Sequence, residues 1–410
     1  MSAVEAARLL GVKRQTVYSY ISRGLLTSRR VPGRRETLLD PIEVRRLAER
    51  ERRGGGRAGR MELLVDSSIT LIDPNGALWY RGWDVAAAAG SAWFEEVALW
   101  LWGIESPEPL SLFRPDEVLL AQARASARSA GRAARPLDRY LLALAGAATA
   151  DPYRFGRQPE AVARRAAGLL ALLVESLPLA GPAPSGGSLT LAERLWPALS
   201  PLAPSDEGLE ALNAALVLLA DHELATSTLA ARLAASTWAD VYRVVAAGLA
   251  VVGGPLHGSA GDRAAAFIRL ALATGVERAV GERLTTGELP PGFGHVVYKS
   301  RDPRYSPLAT ALEAAWPGHE AMGVTREIEA VLRREQPESF PNVDLALGAL
   351  VVIGQMGEGA AEAIFAAART AGWIAHGLEE YGHRLRYRSR AVYSGAEPGT
   401  AAPRLAGETS

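Results

Sequence analysis

With 410 residues and 48% hydrophobic side chains, the chain is long enough for two or three domains, and its lack of cysteine excludes disulfide-stabilised folds and thiolate metal sites. Its formal net charge is zero, but residues 1–60 contain 15 lysines and arginines against 6 acidic residues, whereas the remainder contains 30 against 39. A basic segment on an acidic body favours a polyanionic partner for that segment, and a solvated arginine-rich surface is the alternative explanation.

Neither a secretory signal nor a membrane-spanning segment is predicted. The first residues lack a charged-then-apolar pattern, and the longest apolar runs, such as residues 214–220, are too short to cross a bilayer. We therefore expect a soluble cytoplasmic protein without membrane contacts.

Residues 1–53 show the pattern of a small helical domain. Ser2 and the glutamate three residues later are spaced as a capping box, before a short helix with Val4, Ala7 and Leu10 on one face. A Gly-Val pair then breaks the pattern. Two further helices are predicted, over residues 14–22 with Val17 and Ile21 inward, and over residues 41–52 with Ile42, Val44 and Leu47 inward.

This order of helix, glycine turn and helix resembles the excisionase-like and MerR-like helix-turn-helix domains, which bind DNA. Arginines on both sides of a Val-Pro-Gly turn suit contacts with phosphates. A helical docking module that binds no nucleic acid is the alternative. Residues 54–60 are rich in glycine and predict a flexible linker. The predicted DNA-binding residues are Arg14, Gln15, Tyr18, Arg29, Arg30, Arg34 and Arg35.

The body of the chain, from residue 61, is predicted to be almost entirely helical. It opens with a short hairpin around Pro74-Asn75-Gly76. Apolar spacings of three and four follow, without strand-helix alternation, so a doubly wound sheet is excluded and the predicted fold class is all-α. Helices are predicted over residues 91–102, 115–130, 137–150, 158–176, 189–196, 208–221 and 227–250, a loop over 178–187 and a disordered tail over 398–410.

Three motifs in the second half place a histidine or a carboxylate on a glycine- or proline-bearing turn. GPLHG contains His257, GFGHVVYK with the following DPR contains His295, and PNVD contains Asp344. Two histidines and a carboxylate form an acid/base constellation. In this order and spacing the motifs resemble the citrate synthase family, as do the YRGWD segment at Tyr80 and the DHELATSTLAARL segment at Asp221.

The resemblance implies a large helical domain over residues 61–259 and 349–397, and a small helical domain over residues 260–348 that closes on it. It also implies a homodimer with shared active sites. The substrates would be oxaloacetate and acetyl-CoA, which acts as co-substrate without any permanently bound cofactor. The expected reaction is a Claisen-type condensation to citrate and CoA, the first step of the tricarboxylic acid cycle.

The resemblance also implies a role for each motif residue. Asp344 would take a proton from the acetyl methyl group, His257 would donate a hydrogen bond to the enol or enolate oxygen, and His295 would polarise the ketone. The implied substrate-binding residues are His222, Arg304, Arg369 and Arg388, the last reaching the partner subunit's site; the implied CoA-binding residues are Gly292, Phe293, Gly294 and Lys299. Only 2 lysines occur against 43 arginines, which independently favours a phosphate contact for Lys299. No metal-ligand spacing occurs, and a structural role is expected for His376.

The sequence departs from the family pattern at three positions near the expected site. Leu219, Ala225 and Val296 stand where the family has histidine, asparagine and arginine. Two alternatives stay open. The protein could be a 2-methylcitrate synthase that uses propionyl-CoA, or a DNA-binding regulator whose body only senses a metabolite.

Overall fold

The computed structural model describes residues 1–10, 12, 17, 20–21, 26–30, 37–41, 43–44, 63–131, 133–184, 186 and 188–388. It divides into two compact units, Met1–Asp66 and Ser67–Ser410. The predicted all-α class is confirmed, because strands are confined to two small antiparallel sheets among the described residues. None of the described helices combines the length and the apolar character needed to cross a bilayer.

In the first unit, α1 spans Ala3–Leu10 and has the predicted capping box at its start. The amide of Ser2 donates to a carboxylate oxygen of Glu5 at 2.7 Å, and the amide of Glu5 donates to Ser2 Oγ at 3.3 Å. Strand β1 (Ser28–Arg30) pairs antiparallel with β2 (Thr37–Leu39). In the sequence the two strands flank the Val-Pro-Gly segment, and β1 contains Arg29 and Arg30.

The core of this unit confirms part of the predicted helix faces. Val17 is buried as predicted, and Ile21 packs partly buried against the same cluster. The inward position of Val4 was wrong: its side chain is 52% exposed. Ala7 and Leu10 are buried as predicted. The helix also buries Ala3 and Ala6, because small alanines allow it to lie close to the rest of the cluster. The predictions for Arg14, Gln15, Tyr18, Arg34, Arg35, the linker 54–60 and the tail 398–410 lie outside the described residues, and only the backbone of Arg29 and Arg30 is described.

The second unit opens with the predicted hairpin, followed by one further strand. Strand β3 (Thr70–Asp73) pairs antiparallel with β4 (Ala77–Tyr80), and β4 pairs with the short β5 (Trp83–Asp84). Gly76 adopts a φ of 102° in the turn, a conformation that L side chains rarely adopt. The turn of the hairpin contacts a later segment of the chain, because the carbonyl of Pro74 accepts from the amide of Lys299 at 3.1 Å.

Six of the seven predicted helices match observed helices to within three residues, and one does not. The helices that follow β5 also include several that were not individually predicted. In chain order they are α2 Val85–Ala89, α3 Phe94–Trp102, α4 Pro109–Leu112, α5 Glu117–Arg128, α6 Pro136–Ala150, α7 Pro159–Glu175, α8 Leu191–Leu199, α9 Asp206–Leu219, α10 Thr226–Ser236, α11 Val241–Val252, α12 Ala260–Thr274, α13 Val276–Thr285, α14 Tyr305–Ala315, α15 Glu320–Glu335, α16 Val343–Ile353 and α17 Ala360–Glu380.

The exception is the single helix predicted over residues 227–250, which is two helices, α10 and α11. Trp238 between them has a φ of 61°, which an α-helix cannot contain. Asp240 then caps α11, its side chain accepting from the amide of Arg243 at 3.0 Å. Asp240 could have indicated a new helix start in the sequence. The apolar spacing continues across it, however, and this continuity led to the prediction of a single helix.

Helix α17 lies at the centre of the second unit and is buried along almost its entire length. It packs against α10, α11, α9 and α3. Close packing requires glycine at some contacts: a Cβ on Gly248 of α11 would lie 2.4 Å from the Trp373 ring of α17. A separate apolar cluster joins α12, α13 and α15, around Phe267, Val280 and Ile328.

Candidate active site

A cavity of about 430 Å³ in the second unit brings together most of the predicted catalytic and substrate-binding residues. It lies where the loops before α10, α12, α14 and α16 meet strand β3 and one face of α17. Apolar side chains complete the wall. The predicted residues that line it are His222, His257, His295, Arg304, Asp344 and Arg369; other lining residues include Ile72, Leu224, Ala225, Leu256, Val296, Leu347 and Phe365.

The ring of His295 is held in one tautomer by its own loop. The amides of Val297 and Tyr298 donate to Nδ1 at 3.1 and 3.2 Å, so Nδ1 carries no proton and the neutral ring carries it on Nε2. Nη2 of Arg304 lies 3.4 Å from this Nε2. Burial, and then the charge of Arg304, lower the pKa of His295 to about 4. The N–H groups of His295 Nε2 and Arg304 Nη2 therefore lie side by side, where both can donate to one oxygen atom of a bound molecule.

Arg304 is buried and oriented by a bidentate ion pair. Its Nε and Nη2 donate to the two carboxylate oxygens of Asp302 at 2.9 and 2.8 Å. One of those oxygens also accepts from the amide of Val343 at 3.0 Å, which fixes the DPR segment to the start of α16. Nη1 of Arg304 has no hydrogen bond to the described residues, so it remains available to a bound anion.

Asp344 lies in the first turn of α16 with an uncommitted carboxylate. Its amide donates to Oδ1 of the capping Asn342 at 2.9 Å. Its carboxylate oxygens make no hydrogen bond or ion pair within the described part of the chain. Burial raises the pKa of Asp344 to about 6, although the charge of Arg304 opposes the shift. Such a carboxyl group can accept a proton near neutral pH.

His257 follows α11 and faces the same cavity. Its Nε2 lies 2.9 Å from Oγ of Ser227, and its ring meets Phe365 edge to face with the centroids 5.9 Å apart. Burial, and then the charge of Arg369, lower the pKa of His257, so the ring is neutral at pH 7. A neutral imidazole can donate one hydrogen bond without losing a proton.

His222 lies on the other side of the cavity, beside His295. Its Nε2 is 3.1 Å from the hydroxyl of Tyr298, and its ring centroid is 5.3 Å from that of His295. Burial, and then the charge of Arg304, lower the pKa of His222 well below its usual range. The cavity therefore contains three neutral imidazoles.

Arg369 is buried on α17 and is oriented by the main chain. Its Nε donates to the carbonyl oxygen of Leu219 at 2.9 Å, and its guanidinium lies 4.6 Å from the ring centroid of Phe365. Both terminal nitrogens lack partners among the described residues. Because the planar guanidinium is fixed at one edge, its other edge can receive a carboxylate.

The Gly292-Phe293-Gly294 loop pairs with the loop before α16. The carbonyl of Gly292 accepts from the amide of Asn342 at 2.8 Å, and the amide of Gly294 donates to the carbonyl of Phe340 at 2.8 Å. A Cβ on Gly292 would lie 2.7 Å from Leu345. This close approach explains the first glycine, and contact of the loop with adenine stays a prediction.

Like the Gly292-Phe293-Gly294 loop, Lys299 and Arg388 do not line the cavity. Lys299 is exposed, and its amide donates to the carbonyl of Pro74 in the hairpin turn at 3.1 Å. Arg388 is exposed near the end of the described chain. Within the described residues, no group of three histidine, aspartate or glutamate side chains is placed to bind a metal ion.

The three departures from the family pattern have different positions. Leu219 is buried in the core and does not line the cavity, whereas Ala225 and Val296 do line it. Val296 is 69% exposed, and the neighbouring Leu256 is 94% exposed. The cavity mouth is therefore more apolar than the family pattern implies.

Several residues that support the site were missed by sequence reasoning. Ser227, Tyr298 and Asp302 touch His257, His222 and Arg304 respectively. Tyr298 and Asp302 lie inside quoted motifs, so their position was a usable signal. Ser227 lies inside the quoted DHELATSTLAARL segment, so it carried the same signal.

Comparisons with known proteins agree with this geometry. A family model described as "Citrate synthase, C-terminal domain" matches residues 60–390, and one described as "Helix-turn-helix domain" matches residues 1–52. Citrate synthase 2 of Bacillus subtilis is 28% identical over 356 residues, which are 81% of this chain and 94% of that protein. The citrate synthase of Saccharolobus solfataricus is 34% identical over 204 residues, 47% of this chain and 54% of that one.

A similar solved structure is the ternary complex of carboxymethyl coenzyme A and oxaloacetate with the citrate synthase of Thermoplasma acidophilum. It superposes with a TM-score of 0.69 at 25% identity, and the match covers 85% of this chain and 98% of that chain. The family model alone spans most of the chain. The chain therefore belongs to the citrate synthase family of enzymes, with a helix-turn-helix domain at its N-terminus.

Proposed function

We propose that the protein condenses acetyl-CoA with oxaloacetate to give citrate and CoA. The observation that carries this proposal is the uncommitted Asp344 carboxylate, whose pKa burial raises to about 6, in one cavity with three neutral imidazoles and two buried guanidinium groups. This condensation requires a base, neutral hydrogen-bond donors for the carbonyl oxygens, and guanidinium groups that bind the carboxylates of the acceptor.

In the proposed binding mode, the two guanidinium groups receive the two carboxylates of oxaloacetate. Nη1 of Arg304 and the terminal nitrogens of Arg369 are the free donors for this purpose. Nε2–H of His295 then donates to the ketone oxygen, beside Nη2 of Arg304. His222 contributes a further neutral contact, since its ring lies against that of His295.

In the proposed reaction, Asp344 removes a proton from the methyl group of acetyl-CoA. His257 donates a hydrogen bond to the oxygen of the resulting enol or enolate. The methyl carbon forms a bond to the ketone carbon of oxaloacetate as the C=O π bond opens, and the oxygen takes the proton from Nε2 of His295 to become a hydroxyl group. Water then cleaves the thioester bond, releasing CoA and the new carboxylate. The chain's own groups supply positioning and proton transfer.

We further propose that Lys299 and Gly292-Phe293-Gly294 contact CoA, as the family resemblance implies. The loop supports this because it is joined to the Asp344 helix through Asn342, and would transmit CoA binding to the base. The proposal includes a cytoplasmic enzyme at the first step of the tricarboxylic acid cycle.

Release of free CoA from acetyl-CoA and oxaloacetate tests the proposal directly. Absence of CoA release from well-folded protein would contradict it and favour the metabolite-sensing regulator. The 2-methylcitrate alternative uses the same residues, and the apolar Val296 and Leu256 at the cavity leave it open. One methylene changes binding by only about 1–3 kcal/mol, so the ratio of kcat/KM for acetyl-CoA and propionyl-CoA decides between them.

We expect kcat/KM to fall as the pH is lowered below 6. Asp344 acts as a base only when deprotonated, and its raised pKa of about 6 places its protonation there. Because the pKa of His295 is lowered to about 4, that ring stays neutral over the same range. Plotted against pH, kcat/KM should fall about tenfold per unit below pH 6. A limb centred near pH 4 would contradict the assignment.

We propose a homodimer in which Arg388 serves the partner subunit's site. Its exposure outside the cavity of its own chain supports this role. Mixing inactive Arg388→Ala and Asp344→Ala chains should restore activity, because each heterodimer contains one intact site. The measurement is CoA release after co-refolding. No recovery, despite heterodimers seen by mass spectrometry, would place Arg388 in its own chain or outside the reaction.

A second proposed function, DNA binding by the first unit, is favoured by the helix-turn-helix match and by the β1–β2 hairpin beside α1. Affinity for duplex DNA should fall steeply with salt, because arginines displace phosphate counterions. Replacing Arg29, Arg30, Arg34 and Arg35 with alanine should weaken binding to all sequences alike, whereas Gln15→Ala or Tyr18→Ala should change sequence preference.

The control is protein truncated to start at Met61, which should lose DNA binding and keep catalysis. The measurement is selection from a random duplex pool at low salt. Full-length protein that enriches no sequence would contradict DNA binding and favour the docking module. Dimeric protein should select two half-sites.

A further inference from the structure

We infer that Arg232 and His376 are positioning residues for the acceptor side of the cavity. Both side chains are fully buried and neither lines the cavity. They form a polar chain that runs from the segment before Arg388 to the turn that presents His222. The inference rests on the proposed function for its kinetic consequence, and its structural consequence can be measured without substrate.

The chain begins at Asp221, which fixes the turn before α10. One carboxylate oxygen of Asp221 accepts from the hydroxyl of Thr70 at 2.6 Å and from the amide of Glu223 at 3.0 Å. Glu223 has a φ of 56°, a conformation that costs energy for a residue other than glycine. Asp221 therefore stabilises the strained turn, and His222 lies between the two residues.

His376 joins Asp221 to Arg232. Nη1 of Arg232 lies 2.8 Å from Nδ1 of His376, and because arginine only donates, Nδ1 must accept. The proton of the neutral ring then lies on Nε2, which is 3.4 Å from the same Asp221 oxygen. A neutral histidine thus connects a buried cation to a buried carboxylate in one fixed tautomer.

Arg232 anchors the far end of the chain. Its Nη2 donates to Glu380 at 2.9 Å, its Nη1 donates to Glu379 at 2.6 Å, and its Nε lies 3.1 Å from the hydroxyl of Tyr387. Glu379 also accepts from the amide of Ser68 at 2.9 Å. Ser68 and Thr70 are two residues apart in the chain, so the contacts close into a ring beneath the His222 turn.

Two consequences follow from this ring. Removing the imidazole of His376 takes one hydrogen-bond partner from Arg232 and one from Asp221, and both residues are buried. We expect this loss to loosen the turn and with it the acceptor site. Tyr387, the residue before Arg388, is attached to the same ring, so the proposed partner-site arginine and the local acceptor site share one support.

The test compares His376→Leu, which removes both contacts, with His376→Gln, whose amide oxygen can accept from Arg232 while its N–H donates to Asp221. Thr70→Val removes only the hydroxyl bond to Asp221 from a strand that tolerates valine. We expect His376→Leu and Thr70→Val to raise the KM and the calorimetric Kd for oxaloacetate about tenfold or more. His376→Gln should lie within about threefold of wild type, and KM for acetyl-CoA should hardly change in any of the three.

Hydrogen exchange of the ligand-free proteins provides the independent measurement. Residues 219–226 should lose protection in His376→Leu and Thr70→Val but not in His376→Gln, while α8 remains protected in all three. Equal protection in folded Thr70→Val and wild type, or an equal rise in KM for both substrates, would overturn the inference. If wild-type protein releases no CoA, the proposed function fails, and the exchange comparison still decides whether the ring positions the turn.

Discussion

Replacing Asp344 with alanine should lower turnover by about 10²–10⁴, the range expected for loss of a positioned general base. The carboxylate is uncommitted in the described structure and lies in the cavity with His257 and His295. Oxaloacetate should still bind, since Arg304 is held by Asp302 and not by Asp344. The measurements are kcat from CoA release and the Kd of oxaloacetate from calorimetry.

Two comparisons sharpen this result. Asp344→Asn retains the shape of the side chain and removes its basicity, so it should be nearly as slow as the alanine variant. Glu338→Ala removes an exposed carboxylate from the loop before the same helix and should retain wild-type turnover. Turnover of Asp344→Ala within about threefold of wild type would show that another group is the base.

Replacing Arg369 with lysine should raise KM for oxaloacetate about ten- to a hundredfold, the cost of losing a charge-assisted hydrogen bond. Lysine retains a positive charge, but its single nitrogen cannot give a carboxylate the two parallel N–H bonds of a guanidinium group whose Nε bonds the Leu219 carbonyl. KM for acetyl-CoA should stay within about threefold, because the change lies on the acceptor side.

The matched control for this variant is Arg301→Lys, the same substitution at an exposed arginine that does not line the cavity. It should leave both KM values unchanged. Equal effects of Arg369→Lys on the two substrates would argue for a general disturbance of α17. An unchanged KM for oxaloacetate would remove Arg369 from the acceptor site.

Much of the fold and most of the candidate site were predictable from the sequence. Helical spacing predicted the all-α body, because apolar periodicity reports directly on which face is buried. The motifs around His257, His295 and Asp344 predicted residues that the fold brings into one cavity, although they are separated by dozens of positions. Each lies on a turn whose glycine or proline was visible in the sequence.

What escaped prediction depends on contacts between distant segments. The break at Trp238 follows from a positive φ that apolar spacing does not reveal. The bond between Asp302 and the amide of Val343 joins two motifs, and neither motif alone indicates it. Arg232 lies in the quoted DHELATSTLAARL segment, but its partners Glu379 and Glu380 are 147 and 148 residues away, and the segment does not indicate them.

The carbonyl that orients Arg369 comes from residue 219, one of the positions at which the chain departs from the family pattern. A main-chain carbonyl is the same for every amino acid, so this anchor does not depend on which side chain occupies the position. Leucine can therefore replace histidine there while the guanidinium keeps its direction. Mutational tolerance at residue 219 should be limited by the volume of the surrounding core and not by the chemistry of the acceptor site.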